Sequence, residues 1–406
     1  MLYISIQPQK GFLMIKIKKG YLLHEIAGIP YLLPYGQNIA DFQCSIRLNE
    51  SGLLLYHALL QGAKESSLPD MLKSHYHASD ADLPALKEDV AHFLLQLEAA
   101  NILTRSNIPT PEHADFFFHI GPAAIAYHGP EELLVPSLFD FSCEQATPDL
   151  SIRILPYLPG IHENGELLVR TDELIVCKNE ISYLFLYPAD YGIAEMHISL
   201  DGSQATLFCP QPYKNDLPEK IFHAFRFAYL IRVQQMGAFA LHSASILYQD
   251  RAWLFSGSSG SGKSTHTALW MRQYHTPYLN GDLNLLGFVD GMPVVYGIPW
   301  CGTSGSYTTQ TVPLGGITFL KQASENALMP LTAEEISLRT MQRLISPSWT
   351  KDMLLSNLSF TEKIKDAVSF FHLHCTKETS AATLMKQAID TYTQTKDLSS
   401  KKGCRF

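Results

Sequence analysis

The sequence predicts an α/β chain, α+β overall, in which a small winged-helix-like module precedes a larger P-loop domain. Two observations support this prediction. A Gly/Ser-rich segment, Gly257 to Ser264, lies between an apolar strand-like run and a helix-compatible run. Within residues 1–104, short strand-like runs are followed by three helical patterns.

The length and composition predict two or three globular domains. The chain has 406 residues, of which 46% are hydrophobic and 17% are charged. Its formal net charge of −8 disfavours nucleic-acid binding, which requires a basic surface. The 7 cysteines are widely spaced and include no C-x-x-C pair, which disfavours a zinc site or a disulfide framework and fits a reducing cytoplasm.

The sequence predicts no targeting or membrane segment. The N-terminus lacks the basic-then-apolar order of a signal peptide, and no uninterrupted apolar stretch reaches about 18 residues. We therefore expect a soluble cytoplasmic protein with no membrane or nucleic-acid partner. The sequence does not determine the oligomeric state, and a homo-oligomer is compatible with it.

The residue pattern of the N-terminal part predicts strands followed by helices. The predicted strands are Tyr21–Ile26, Tyr31–Pro34 and Cys44–Leu48. Asn49 is a predicted N-cap, and the predicted helices cover residues 53–60, 68–76 and 84–100. One face of the third helix is apolar and consists of Leu86, Val90, Phe93, Leu94 and Leu97. A polar stretch with two prolines, residues 104–112, then predicts a domain boundary.

Residues 14–104 resemble the PqqD family of peptide-binding modules. The resemblance is carried by Lys18–Gly28, Ile46–Gly52, Asp89-Val90, Phe93-Leu94 and Leu97. In such modules the leader of a precursor peptide adds a strand to a sheet edge beside the last helix. The resemblance implies a groove formed by Tyr31–Pro34 or its neighbouring strand and the third helix. A DNA-binding winged helix is the alternative, which the acidic balance disfavours.

The next region predicts a strand-rich sheet, one helix and a β-hairpin. Strands are expected within Phe116–Thr206, packed against the core that contains Gly257 to Ser264. Pro218 and Gly237 bound a predicted helix over 219–236. A strand over 238–247 and a turn at 248–250 then lead to the strand that enters the P-loop.

The segment GSSGSGKS matches the phosphate-binding pattern G-x-x-x-x-G-K-[ST] at every fixed position. Inward-pointing amides and a helix N-terminus bind phosphate in such loops, so we expect bound ATP. The expected nucleotide contacts are Gly257, Ser258, Ser259, Gly260, Ser261, Gly262, Lys263, Ser264 and Thr265. Lys263 would reach the terminal phosphates, and the Ser264 hydroxyl would bind Mg²⁺. A Gly/Ser-rich linker is the alternative, which the flanking strand and helix disfavour.

A hairpin directly before a P-loop is unusual for a parallel NTPase sheet. The order LHSASILYQDRAWLFSGSSGSGKST, followed by LNGDLNLL, resembles the catalytic domain of HPr kinases, a core that is also compared with ATP-dependent phosphoenolpyruvate carboxykinases. This resemblance covers residues 115–390 and implies His242 and Asp282 as catalytic candidates beside Lys263. It also implies Asp282 as a metal ligand with Ser264. The chain departs from the family in having Asp282 where the family commonly has two adjacent aspartates.

Phosphoryl transfer needs electrostatic stabilisation and a proton acceptor, for which Asp282 and His242 are the candidates. His242 can also be interpreted as a structural strand-end histidine, and Asp282 as a turn residue. Further cations could stabilise transferred charge, although helices more often present them to solvent. They are Arg226 and, on a helix that starts with the capping box Thr332-Ala333-Glu334-Glu335, Arg339 and Arg343.

The resemblances imply an ATP-dependent kinase that phosphorylates a Ser or Thr hydroxyl of a ribosomally made precursor peptide, similar to lasso-peptide tailoring kinases. One alternative is a non-catalytic, nucleotide-gated peptide chaperone for a partner modifying enzyme. Another is a kinase for a free amino acid or small molecule. The predicted domains are 1–104 for peptide recognition, 105–114 as linker, 115–390 for catalysis and 391–406 as a polar tail.

Overall fold

A computed structural model describes residues 12–17, 20–36, 45–61, 63, 65–100, 102–108, 114–156 and 165–402. The chain divides into two compact units, unit 1 of residues 1–112 and unit 2 of residues 113–406. Large mixed sheets combine with helices, so the protein is mixed α/β of the α+β type, as predicted.

Unit 1 combines short antiparallel strands with a helical layer. Its strands are β1 Phe12–Ile17, β2 Tyr21–Ile26, β3 Ile29–Pro34, β4 Ile46–Arg47 and β5 Leu103–Ile108. Its helices are α1 Glu50–Leu60, α2 Leu68–Tyr76 and α3 Leu83–Ala99. β1 pairs with β5, and β3 lies between β2 and β4 in a second antiparallel sheet.

The local signals in unit 1 gave the helices correctly. Asn49 caps α1, because its Oδ1 accepts a hydrogen bond from the Gly52 N–H at 2.8 Å. The apolar face of α3 is confirmed as well. Val90, Phe93, Leu94 and Leu97 are buried with residues of α1, α2 and β3, and Leu86 packs against them.

The sequence left the edge strand of unit 1 open. β3, which contains Tyr31–Pro34, pairs on both sides, so among the described strands its neighbours β2 and β4 are the edges of this sheet. One expectation for unit 1 needs correction. The predicted linker begins within β5, since residues 103–108 pair with β1. Cys44, the predicted start of the third strand, lies outside the described residues.

The first sheet of unit 2 confirms the predicted strand-rich region. Its strands are β6 Phe116–Ile120, β7 Ala123–His128, β8 Leu150–Leu155, β9 Glu166–Arg170, β10 Ile175–Lys178, β11 Ser182–Leu186, β12 Glu195–Ser199 and β13 Gln204–Phe208. Their order in the sheet is β6-β7-β8-β13-β12-β11-β10-β9. A short helix, α4, covers Pro136–Phe139.

Helix α5, Leu217–Gln235, packs on this sheet and confirms the predicted helix. Pro218 lies in its first turn, where a missing N–H costs nothing. Gly237 follows its end with a φ of +82°, which glycine adopts without strain.

The second sheet of unit 2 carries the P-loop. Its strands are β14 Phe239–Tyr248, β15 Arg251–Ser256, β16 Tyr278–Asn280, β17 Leu283–Val289, β18 Met292–Tyr296, β19 Val312–Gln322, β20 Ala327–Met329 and β21 Ser369–Cys375. The hairpin before the P-loop is confirmed by the antiparallel pairing of β14 and β15. β15 also pairs in parallel with β19, so β14, β15, β19, β18 and β17 form a closed ring of strands.

The remaining helices are α6 Lys263–Tyr274, α7 Ala333–Met341, α8 Lys351–Ala367 and α9 Thr379–Lys402. The predicted capping box is confirmed, because the Glu335 N–H donates to Thr332 Oγ1 and the Thr332 N–H donates to Glu335 Oε2. The predicted polar tail from residue 391 is instead part of α9, where Tyr392 packs against Phe371. Among the described residues, no helix is both long and apolar enough to cross a membrane.

Candidate active site

The P-loop joins the end of β15 to the start of α6, so the predicted strand, loop and helix are present in that order. Gly260 and Gly262 have φ values of +74° and +96°, in the left-handed region that favours glycine. Within the described part of the chain, the backbone N–H groups of Gly262, Lys263, Ser264 and Thr265 donate to no protein acceptor. Free amides at a helix N-terminus are a phosphate-binding arrangement.

A cavity of about 440 Å³ lies beside this loop. Its walls are the P-loop, the last residues of β19, and Arg339 and Arg343. The Ser261 hydroxyl is buried and has no hydrogen-bond partner in the described chain. A Cβ atom at Gly257 would lie 2.9 Å from the Leu320 carbonyl oxygen, so the loop needs glycine there to approach β19. The loop, its cavity and its orphaned hydroxyl fit a polyphosphate.

Lys263 begins α6, and its ammonium group folds back over the loop. Its Nζ atom lies 3.4 Å from both the Gly257 and the Ser258 carbonyl oxygens. Burial lowers the pKa of Lys263, while the charge of Asp282 raises it and that of Arg343 lowers it. Lys263 therefore shares one electrostatic environment with these two side chains.

The strand β14 brings His242 to Asp282. The Nδ1 atom of His242 lies 3.3 Å from Asp282 Oδ1, and the Ser243 N–H donates to the Asp282 carbonyl at 3.0 Å. Burial lowers the pKa of His242, the Lys263 charge lowers it further, and Asp282 partly opposes both. His242 is therefore neutral at pH 7 and can accept a proton.

The turn that carries Asp282 is held by a buried amide. Asn280 Oδ1 accepts the N–H groups of Asp282 and Leu283, each at 3.1 Å. Its Nδ2 donates to the Trp300 carbonyl at 3.3 Å. Asn284, on β17, donates to the Ser243 carbonyl at 2.6 Å and so ties this turn to β14. The asparagines beside Asp282 fix the position of the turn.

Neither neighbour of Asp282 has room for a second carboxylate. A Cβ atom at Gly281 would overlap the Cβ and Oγ atoms of Ser304. On the other side, Leu283 is 2% exposed and belongs to the apolar core. The single aspartate is therefore a consequence of how the 302–304 turn packs against this segment.

The structure places Arg339 and Arg343 at the site. The sequence alone favours a solvent-exposed position on a helix for these two arginines. Helix α7 ends at Met341, so Arg343 lies beyond it and not on the helix as predicted. The Arg343 carbonyl accepts the His242 N–H at 2.8 Å, because the chain here pairs with β14. This non-local pairing leaves no local sequence signal.

The metal-binding prediction concerns Ser264 and Asp282. In the described residues, no group of three His, Cys, Asp or Glu side chains is positioned to hold a metal ion. Mg²⁺ commonly takes one or two protein oxygens and completes its shell with water and phosphate oxygens. Ser264 is exposed at the start of α6 and Asp282 is partly exposed, so both oxygens are accessible to such an ion.

A second cavity, of about 550 Å³, lies in unit 1. It is lined by Arg47 and Leu48 at the end of β4, by α1 and α2, and by His92 and Phe93 of α3. Buried apolar side chains lie beside charged and amide groups in its walls. This groove lies next to the β4 edge and the third helix.

Neither the protein-family models nor the curated proteins yield a match to this chain.

Proposed function

We propose that this chain is an ATP-dependent kinase that phosphorylates a Ser or Thr hydroxyl of a precursor peptide, whose leader is held by unit 1. The free amides at the N-terminus of α6 carry this proposal, because they accompany Lys263 and the His242–Asp282 pair in one site. Phosphate binding alone would need only the loop. A paired carboxylate and neutral imidazole add a means of removing a proton.

The residues of the P-loop hold and orient the phosphates of ATP. The amides of Gly262, Lys263 and Ser264 are already directed by the backbone, so little reorganisation accompanies binding. Lys263, Arg339 and Arg343 supply positive charge to the transferred group. Mg²⁺, held by Ser264 and Asp282, would neutralise phosphate charge when bound.

Asp282 accepts the proton of the attacking hydroxyl, with His242 holding the carboxylate in place. His242 Nδ1 lies 3.3 Å from Asp282 Oδ1, and the other carboxylate oxygen stays accessible to the hydroxyl. Burial lowers the pKa of His242 and keeps the imidazole neutral, so the lone pair of one ring nitrogen offers a second acceptor for a proton. The hydroxyl of the acceptor would react between Lys263 and the His242–Asp282 pair.

The groove of unit 1 supports leader recognition. Polar groups line the groove around the buried side chains of Leu48, Leu55 and Leu72, a mixed surface that suits the side chains of an extended peptide. The β4 edge offers backbone groups for strand addition. Tethering the leader raises the effective concentration of the peptide core at the catalytic site. Unit 1 then contributes to KM rather than to the chemical step.

The test is transfer of labelled γ-phosphate from ATP to a precursor peptide encoded beside this chain's gene. Lys263→Ala should abolish transfer and leave binding of a fluorescent leader unchanged, because the two sites lie in different units. Lys351→Ala, which removes an exposed lysine at the start of α8, is the matched control and should transfer normally. Unchanged transfer in Lys263→Ala would refute the kinase proposal.

A nucleotide-gated peptide chaperone is the second candidate. The lack of space at Gly281 for a second carboxylate favours it, since separate metal-ligand and base roles then depend on Asp282 alone. A chaperone would bind ATP and leader without transfer. Asp282 variants separate the two functions.

A further inference from the structure

Arg226, on α5, is a partly buried guanidinium whose Cζ atom lies 5.9 Å from the centroid of the Phe227 ring. Among the residues that the structure describes, it has no ion-pair or hydrogen-bond partner. Two other cations of this helix are paired. Lys220 Nζ lies 2.8 Å from Asp216 Oδ2, and Arg232 Nη2 lies 3.7 Å from Asp149 Oδ1. A guanidinium keeps its charge on burial, so its lost hydration is unfavourable until an anion pairs with it.

The helical turn of α5 that precedes Arg226 packs against the residues that support the Asp282 turn. Phe222, one helical turn before Arg226, stacks on Trp300 with ring centroids 5.4 Å apart, and its carbonyl accepts the Trp300 Nε1–H at 3.1 Å. The Trp300 carbonyl in turn accepts a hydrogen bond from Asn280, which holds the Asp282 N–H. One tryptophan therefore supports both the helix and the catalytic turn.

Asp282 is within electrostatic reach of cations from two different helices. Burial lowers the pKa of Arg226, and the charges of Asp282 and Tyr191 oppose this effect. Asp282 likewise raises the pKa of Lys263, which burial lowers. Lys263 comes from α6 at the P-loop, whereas Arg226 comes from α5. In the proposed function Lys263 binds the phosphates of ATP. No binding partner follows from that function for Arg226.

We propose that Arg226 binds a carboxylate of the phosphoryl acceptor, close to the hydroxyl that is phosphorylated. This inference rests on the proposed kinase function. The loop amides and Lys263 take the phosphates of the donor, so the cation on α5 meets the acceptor. The planar fork of a guanidinium matches the two oxygens of a carboxylate. That carboxylate is either the C-terminus of a peptide or the side chain of an adjacent Asp or Glu.

The test uses the full chain, labelled ATP and three short synthetic peptides that contain one serine. The first ends in serine with a free carboxylate, the second is the same peptide as its amide, and the third is an amide with aspartate after the serine. Wild type should transfer to a carboxylate peptide with a kcat/KM at least about 10-fold above that of the amide. Arg226→Gln should lose this preference, Arg226→Lys should keep part of it, and Arg232→Gln should keep all of it.

Equal transfer to all three peptides, or a preference that survives in Arg226→Gln, would overturn the inference. A preference for the first or the third peptide assigns the carboxylate to a C-terminus or to a side chain.

Binding is measured separately from chemistry by the rate at which phenylglyoxal modifies Arg226, followed by mass spectrometry. Carboxylate peptides should slow the modification and the amide should not. Protection without transfer would contradict the kinase function and support the anion site. Absence of protection by both carboxylate peptides would overturn the anion site whatever the transfer assay shows.

Discussion

The Nδ1 atom of His242 lies 3.3 Å from the Oδ1 atom of Asp282, although 39 intervening residues separate them in the chain. The contact forms because His242, which lies inside β14 and not at the strand end expected from the sequence, pairs with Leu283 of β17, the residue directly after Asp282. The same region receives Lys263 from the P-loop helix. Sheet pairing thus places a carboxylate and an imidazole beside the phosphate-binding loop.

Asp282→Asn should lower kcat for peptide phosphorylation by at least about 10²-fold, because it removes the negative charge and proton-accepting capacity while preserving size. Single-turnover transfer of labelled γ-phosphate measures the effect. Circular dichroism checks the fold, and Asp290→Asn, in an exposed turn, is the matched control. Near wild-type transfer in folded Asp282→Asn would shift the role of base to His242, whereas a chaperone predicts unaltered nucleotide and leader binding.

Gly281→Ala should destabilise unit 2 by about 1–3 kcal/mol, because the new methyl group would overlap Ser304 and force the 302–304 turn to move. Adding Ser304→Gly removes the overlapping atoms and should recover much of the loss. Urea unfolding of the two variants, with Ser304→Gly alone as reference, measures both steps. An unaltered unfolding midpoint in Gly281→Ala would contradict the close packing of this turn.

Removal of unit 1 should raise KM for a full-length precursor far more than for its leaderless core. The deletion should cover residues 1–112, because a cut at residue 104 would divide β5, which pairs with β1. Loss of tethering lowers the effective concentration of the core and leaves the chemical step intact.

A point variant tests the groove without removing the unit. His92→Ala, which changes an exposed groove residue of α3, should weaken leader binding, and Lys87→Ala, outside the groove lining on the same helix, should not. If removal of residues 1–112 raised KM equally for the full-length precursor and for the leaderless core, leader recognition by unit 1 would be contradicted.

His266 should make the protein less stable as the pH falls. Burial lowers the pKa of His266 to about 4, whereas an unfolded histidine titrates near 6.5. Between these values the unfolded chain binds more protons than the folded one, so the free energy of unfolding decreases as pH decreases. His266→Gln keeps an acceptor for the Trp270 Nε1–H and removes this titration.

The difference in unfolding free energy between pH 7 and pH 5 should therefore be smaller in His266→Gln, by on the order of 2 kcal/mol. Urea unfolding at the two pH values measures it, with His119→Gln, on an exposed position of β6, as the control. The same pH dependence in wild type and His266→Gln would contradict the assignment.

The sequence by itself determined the features that depend on neighbouring residues. The P-loop follows from spacing, because its glycines and Lys263 lie within one short segment between a strand and a helix. The Asn49 cap, the Thr332 capping box and the apolar face of α3 follow from local hydrogen bonds and helical periodicity.

Only the tertiary structure decided which distant residues meet. It paired β3 on both sides, filled the space beside Gly281 with Ser304, and joined His242 to the Arg343 backbone. It also left Arg226 without an ion-pair or hydrogen-bond partner among the described residues, where burial lowers its pKa and the charge of Asp282 raises it. These relationships depend on strand register and on loops packing across the sheet, which are fixed by the burial of side chains far apart in the chain and have no local sequence pattern.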